Sequence, residues 1–125
     1  MRRAITPESC PAPVKAQSEA IETEHFIFFS GQMPTDYAAG LAPETGVPGE
    51  VSLCGPPAMV RQTRYMLQRM EKVLESAGAG FEDLVRIEQF IIGRDQAPWH
   101  SSARQSVMTK GHPTSTRVCA KDLEV

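Results

Sequence analysis

Long apolar runs are missing from this chain. The longest, Phe26-Ile27-Phe28-Phe29, has four residues, far short of the ~18 that a membrane-spanning helix needs. A basic surplus is missing too. Lysines and arginines number 13 against 15 aspartates and glutamates, for a net charge of −2. That balance argues against sequence-independent nucleic-acid binding. Cysteines are few, odd in number and widely spaced: Cys10, Cys54 and Cys119. No disulfide framework is expected from them, and a cytoplasmic location with reduced thiols is. Arg2-Arg3 has no apolar stretch behind it, so neither a secretory nor a twin-arginine signal is expected. His25, His100 and His112 are not spaced as metal ligands, and no Cys-x-x-Cys occurs. No metal site is expected.

What is present is an ordinary globular composition. Of 125 residues, 41% are hydrophobic and 22% charged, which suits one domain spanning 1–125 with one core. Five of the ten prolines and four of the nine glycines fall between Pro34 and Pro57. This stretch is expected to be a long surface loop.

Before the loop, Ala16–Glu22 reads as a weak strand. His25–Ser30, β-branched and aromatic, reads as a strong buried one. Thr23-Glu24 between them suits a tight hairpin connection, though without the preferred Asn-Gly chemistry. After the loop, Pro57 opens an amphipathic helix. Met59, Met66, Met70, Val73 and Ala77 share one face with Val60, Leu67 and Leu74 beside them. Arg61, Arg64, Gln68, Lys72 and Glu75 lie opposite, the period of a helix packed on a core. Gly78-Ala79-Gly80 is expected to stop it through a left-handed cap. Val85–Ile92 reads as a strand. Pro98–Met108 reads as a second helix with Trp99, Ala103 and Val107 four apart. Thr114–Ala120 reads as a last strand, with Ser115, Arg117 and Cys119 on one side. The order β-β-loop-α-β-α-β predicts an α+β fold with two helices on one face of a mixed sheet.

The residues alone point to little chemistry. A glycine at the end of the strongest strand, in Ser30-Gly31-Gln32, can let a ligand approach the backbone, or it can simply end the strand. Cys119 on a strand reads as an inert small hydrophobe unless Arg117 lowers its pKa.

The segment Phe26-Ile27-Phe28-Phe29-Ser30-Gly31-Gln32-Met33-Pro34 resembles the N-terminal signature of the YjgF/Rid (L-PSP) family. Val73-Leu74-Glu75-Ser76-Ala77-Gly78-Ala79 followed by Phe81-Glu82-Asp83-Leu84-Val85-Arg86 resembles its second signature. Pro113 and the strand after it resemble the third. The likeness covers nearly the whole chain in order, and a loop at about 38–55 looks inserted.

The resemblance implies a fold like bacillus chorismate mutase. It also implies a homotrimer with small carboxylate-bearing ligands bound in clefts between subunits. The implied activity is hydrolysis of reactive enamines and imines, of the 2-aminoacrylate/2-iminopropanoate type, to a 2-keto acid and ammonia, without metal or organic cofactor. A non-catalytic trimeric binding or regulatory member is the alternative. Ribonuclease activity, attached to the family's name, fits poorly with a net charge of −2. Neither nucleic acid nor membrane is expected as a partner.

By resemblance, the site would comprise Ser30, Gly31, Ser115, Arg117 and Cys119, with no catalytic residue assigned. Counting from Pro113 puts Ser115 where the deaminating branch carries an arginine. Arg117, two residues on and on the same face, is then the cation for a carboxylate. A shifted register would put Arg117 and Cys119 on the family's arginine and cysteine. It would also put Asp122 where a buried apolar residue belongs, so the first register is preferred. Gln17 stands where the family has an aromatic hydroxyl. The chain reaches Leu123-Glu124-Val125 about where the family's final strand, with its glutamate, begins. A shortened member or a fragment of a longer protein is expected.

Overall fold

The computed structural model describes residues 1–8, 16–33 and 58–123. The Pro34–Pro57 segment, with the expected insertion and Pro57 itself, lies outside the described residues, as do Cys10 and Cys54. Five strands and two α-helices follow in chain order: β1 (Arg2–Ile5), β2 (Ala20–Thr23), β3 (Ile27–Phe29), α1 (Ala58–Ser76), β4 (Arg86–Ile92), α2 (Ala97–Val107) and β5 (Thr114–Ala120). Single 3-10 turns at Phe81–Asp83 and Arg94–Gln96 precede β4 and α2. β1, β2 and β3 form an antiparallel sheet in that order, and β4 pairs in parallel with β5. The architecture is α+β, as the element order predicts. Among the described residues the strands form two sheets. β1 has no counterpart in the sequence reading, because Arg2-Arg3-Ala4-Ile5 is short and half charged.

The first hairpin turns one residue later than expected. Glu22 pairs with Ile27, so Glu24-His25 forms the loop. Thr23 stabilises it twice: its backbone N–H donates to the Phe26 carbonyl at 2.8 Å, and its Oγ1 accepts from the Phe26 N–H at 3.2 Å. The hydroxyl supplies the turn chemistry that the missing Asn-Gly would have supplied.

α1 ends as its glycines predict. Gly78 has φ +75°. Ala79 N–H donates to Leu74 O at 2.9 Å and Gly78 N–H to Glu75 O at 3.0 Å, the paired bonds of a Schellman cap. Its buried residues are Val60, Thr63, Leu67, Arg69, Val73 and Leu74. Met59, Met66 and Met70 are only half-buried, so the expected face is rotated toward Thr63 and Arg69. In the core, Leu67, Leu74, Phe81 and Met108 cluster, with Ile27 and Phe29 packed against them. Ile5, Ala20 and Val73 form a second cluster that Ile27 and Phe29 also touch.

The expectation of a buried third strand needs correction. Ile27 and Phe29 face the helices, but Phe28 is 60% exposed. Phe26, just before the strand, is also exposed, and its ring lies 6.1 Å from that of Phe28. Successive strand residues point to opposite faces, and helices cover only one of them. β4 repeats the pattern: Gln89 and Ile91 are buried, while Phe90 and Ile92 are exposed.

Glu19 and Arg69 join the first sheet to α1. The Arg69 Nε and Nη2 groups each donate to a Glu19 carboxylate oxygen at 2.9 Å. Glu19 is 0% exposed and Arg69 4%. Removing one partner of such a pair strands a buried charge. Arg69→Met should therefore destabilise the chain by about 3–5 kcal/mol in urea unfolding. Adding Glu19→Leu to it should recover part of that loss.

Candidate functional site

Parallel strands cannot be joined by a tight turn, so the chain must cross over between β4 and β5. α2 makes that crossover, with Pro98 in its first turn. Its buried residues are His100 and Ala103. Trp99, expected on the core face, is nearly half exposed. Ala103 and Val107 keep their expected places on the inner face, and His100 takes the place expected of Trp99.

A polar network lies between α2 and the two strands. Gln89 is buried on β4, where Ile87-x-Gln89-x-Ile91 alternates inward. Its Nε2 donates to Ser115 Oγ at 3.0 Å and to Thr116 O at 2.9 Å. Its Oε1 accepts from Arg104 Nη1 at 2.8 Å. The same Arg104 Nη1 donates to Ser115 Oγ at 2.8 Å. A glutamine in the core is tolerable only because both ends of its amide are satisfied. Arg117, the register partner of Gln89 on β5, donates through Nη2 to Ser101 Oγ at 2.6 Å. A cavity of about 210 Å³ opens here, lined by Ser101, Arg104, Gln105, Met108, His112 and Arg117 together with Gly111.

Gly111 gives this cavity part of its wall. Its φ is +76°, and a Cβ there would lie 2.9 Å from the Glu82 Cα. Only glycine fits both the left-handed backbone and the approach to the Phe81–Asp83 turn.

The site is strongly cationic. Among the described residues the ion pairs are Arg3–Glu22, Arg69–Glu19 and Arg86–Glu88. None of them involves Arg104 or Arg117. Burial, and then the neighbouring Arg117, lower the pKa of Arg104 from its ordinary value. His100 is pushed down to about 4, first by burial and then by Arg117 and Arg104. Its buried Nδ1 has no hydrogen-bond partner among the described residues.

Of the residues expected at the site, Ser115 and Arg117 join this network. Cys119 is an exposed free thiol on the same strand, which corrects its reading as a buried hydrophobe. Ser30 and Gly31 lie elsewhere, after β3 in the other sheet. Ser30 Oγ donates to Ser18 O at 2.6 Å, and its backbone N–H to Glu19 O at 3.0 Å. Gly31 is exposed, with open space around its Cα. No hydrogen bond joins these two residues to β5 among the described residues. Gln17 is exposed. The sequence reading missed Gln89, His100, Ser101, Arg104 and His112. A signal existed: a glutamine at an inward strand position, and a histidine and an arginine four apart on the next helix. No group of three His, Cys, Asp or Glu side chains suited to a metal occurs among the described residues. None of the helices among them is long and apolar enough to cross a membrane.

Fold and site together define an α+β protein with a small cationic cavity between its second helix and last strand. The chain belongs to the L-PSP family, also called YjgF/Rid: the family model described as Endoribonuclease L-PSP matches residues 7–124. A RutC family protein of Pyrococcus abyssi is 32% identical over 92 residues, 72% of this chain and 61% of that protein. A mouse protein named 2-iminobutanoate/2-iminopropanoate deaminase is 28% identical over 88 residues, 69% of this chain and 55% of that protein. The chain thus spans about three fifths of the length of the curated relatives it matches. Among solved structures, the Rid-family protein YyfA of Yersinia pestis superposes with a TM-score of 0.79 at 19% identity, covering 98% of this chain and 89% of that one. The YjgF gene product of E. coli gives 0.76 at 20% identity, covering 97% and 87%. At these identities the likeness shows the fold.

The depressed basicity of His100 makes a prediction about acid. An unfolded histidine titrates near 6.5, whereas this one titrates at about 4 when folded. Between those values the unfolded chain holds a proton that the folded chain refuses. The stability associated with neutral His100 is therefore present above about pH 6.5 and is lost as pH falls toward 4. The full difference corresponds to about 3 kcal/mol, and solvent screening of the two guanidiniums reduces it to on the order of 1–2 kcal/mol. Thermal melts between pH 7.5 and 4.5 should show this fall, and His100→Phe should flatten it.

Proposed function

We propose that the chain is a cofactor-free, hydrolytic deaminase-like protein. Its substrates are reactive enamines and imines of the 2-aminoacrylate/2-iminopropanoate type. Water adds to the imine carbon and ammonia leaves, giving the 2-keto acid. The observation that carries this reading is Arg117. Its guanidinium is aimed by Ser101 and lines the cavity. A planar guanidinium suits a substrate carboxylate, which it can grip through two parallel bonds. Fixing the carboxylate holds the imine carbon in place for an incoming water. The name of the mouse relative supports the same chemistry.

A homotrimer belongs to this reading. Phe28, Phe90, Ile92 and Val118 are exposed on sheet faces that the helices do not cover. An apolar patch of this kind calls for a partner, and closure around a threefold axis supplies one. Ser30 and Gly31 of one subunit would then face Ser115, Arg117 and Cys119 of the next. Sedimentation at micromolar concentration should give a trimer, and a stable monomer would remove the assembled cleft from the proposal.

A second reading, a non-catalytic binder of small carboxylates, has its own support. The described walls of the cavity carry cations and hydroxyls but no carboxylate to activate a water. Spectroscopic decay of 2-aminoacrylate and 2-iminobutanoate separates the two. The deaminase accelerates decay, and Arg117→Ala lowers the acceleration about ten- to hundredfold, as expected for a lost charge-assisted bond of roughly 1.5–3 kcal/mol. Pyruvate binding without any acceleration would favour the binder.

A further inference from the structure

The cavity holds one more cation than a monocarboxylate needs. Arg104 and Arg117 both line it, and neither forms an ion pair among the described residues. Both are already positioned. Arg104 commits Nη1 to Gln89 and Ser115. That leaves its Nε and Nη2 without a hydrogen-bond partner among the described residues. Arg117 commits Nη2 to Ser101 and makes a longer bond, 3.5 Å, from Nη1 to the Ala97 carbonyl. Guanidiniums held in place lose little freedom when an anion arrives. We propose that this cavity selects small dianions, with Arg117 taking one negative group and Arg104 the other.

The proposal rests on reading Arg117 as an anion clamp and extends it to a second residue. Two like charges around one space repel, and each raises the energy of the other. A monoanion compensates one of them and leaves the other exposed. A dianion compensates both. Burial is the main cause of the lowered basicity of Arg104 and His100, and the neighbouring guanidiniums add to it: Arg117 at Arg104, and Arg117 and Arg104 at His100. Size narrows the class further. The cavity, about 210 Å³, is smaller than those that take drug-sized ligands. A short dicarboxylate, such as the imino or keto form of a four-carbon diacid, suits it, and so does a phosphate. The Ser101 hydroxyl and the His112 ring on the walls offer further polar contacts to either.

The test is calorimetric titration of the full chain at constant ionic strength with pyruvate, oxaloacetate and inorganic phosphate. At least one dianion should bind about tenfold or more tightly than pyruvate, as an added charge-assisted contact implies. The tighter of the two identifies the source of the charge. Arg104→Gln should erase that advantage by lowering dianion affinity more than pyruvate affinity, and Arg104→Lys should keep part of it. Melting curves of each variant report whether it folds. The wild-type comparison decides the question even if Arg104→Gln does not. Equal affinities for pyruvate and both dianions, or a dianion preference that survives Arg104→Gln, would overturn the proposal. If pyruvate binds through Arg117 with no dianion preference, this proposal fails and the reading of Arg117 as a carboxylate clamp stands. If dianions bind through Arg104 while no imine is hydrolysed, the deaminase reading fails and the dianion site stands. No binding of any of the three removes both.

Discussion

The buried ion pair between Glu19 and Arg69 is the constraint around which the two halves of the described fold are arranged. A carboxylate and a guanidinium, both almost wholly out of water, would each be costly to bury without a partner of opposite charge. Their two bonds fix where the chain enters β2 relative to the middle of α1. The apolar clusters on either side follow from that placement. Ile5 and Ala20 meet Val73. Leu67 and Leu74 meet Phe81 and Met108. Ile27 and Phe29 touch both sets, so the hairpin is part of the core although it is short.

The second constraint is chiefly topological. Parallel pairing of β4 with β5 forces a crossover, and the crossover lays α2 over one face of both strands. The polar residues of the network, and of the cavity beside it, owe their positions to that. Gln89 is inward on β4, Ser115 and Arg117 lie on the same side of β5, and Arg104, His100 and Ser101 descend from α2. The network is consistent at each step: Gln89 satisfies Arg104, Ser115 accepts from both, and Ser101 aims Arg117. Among the described residues the network contains no negative charge, and this distinguishes it from the ion pair in the core.

The sequence by itself determined the elements. Helical period and the glycines at 78 and 80 located α1 and its cap, because amphipathicity and left-handed backbone are local properties. The alternation around Ile87 and Ile91 located β4, and Thr114–Ala120 was legible to the residue. The family was legible too, because its signatures lie on short contiguous segments. The faces were less so. Phe28 read as core, within a strand taken as buried, but strand parity and one-sided helix cover leave it exposed, as they do Phe90. Trp99 yielded the inner face of α2 to His100 because of how α2 seats on the strands. Burial of Arg69 and Gln89 could not be read from their polarity, since each depends on a partner at least fifteen residues away. The cationic cavity is tertiary in the same sense. Its two arginines lie on different elements, and only the parallel crossover brings both of them, with His112, around one space.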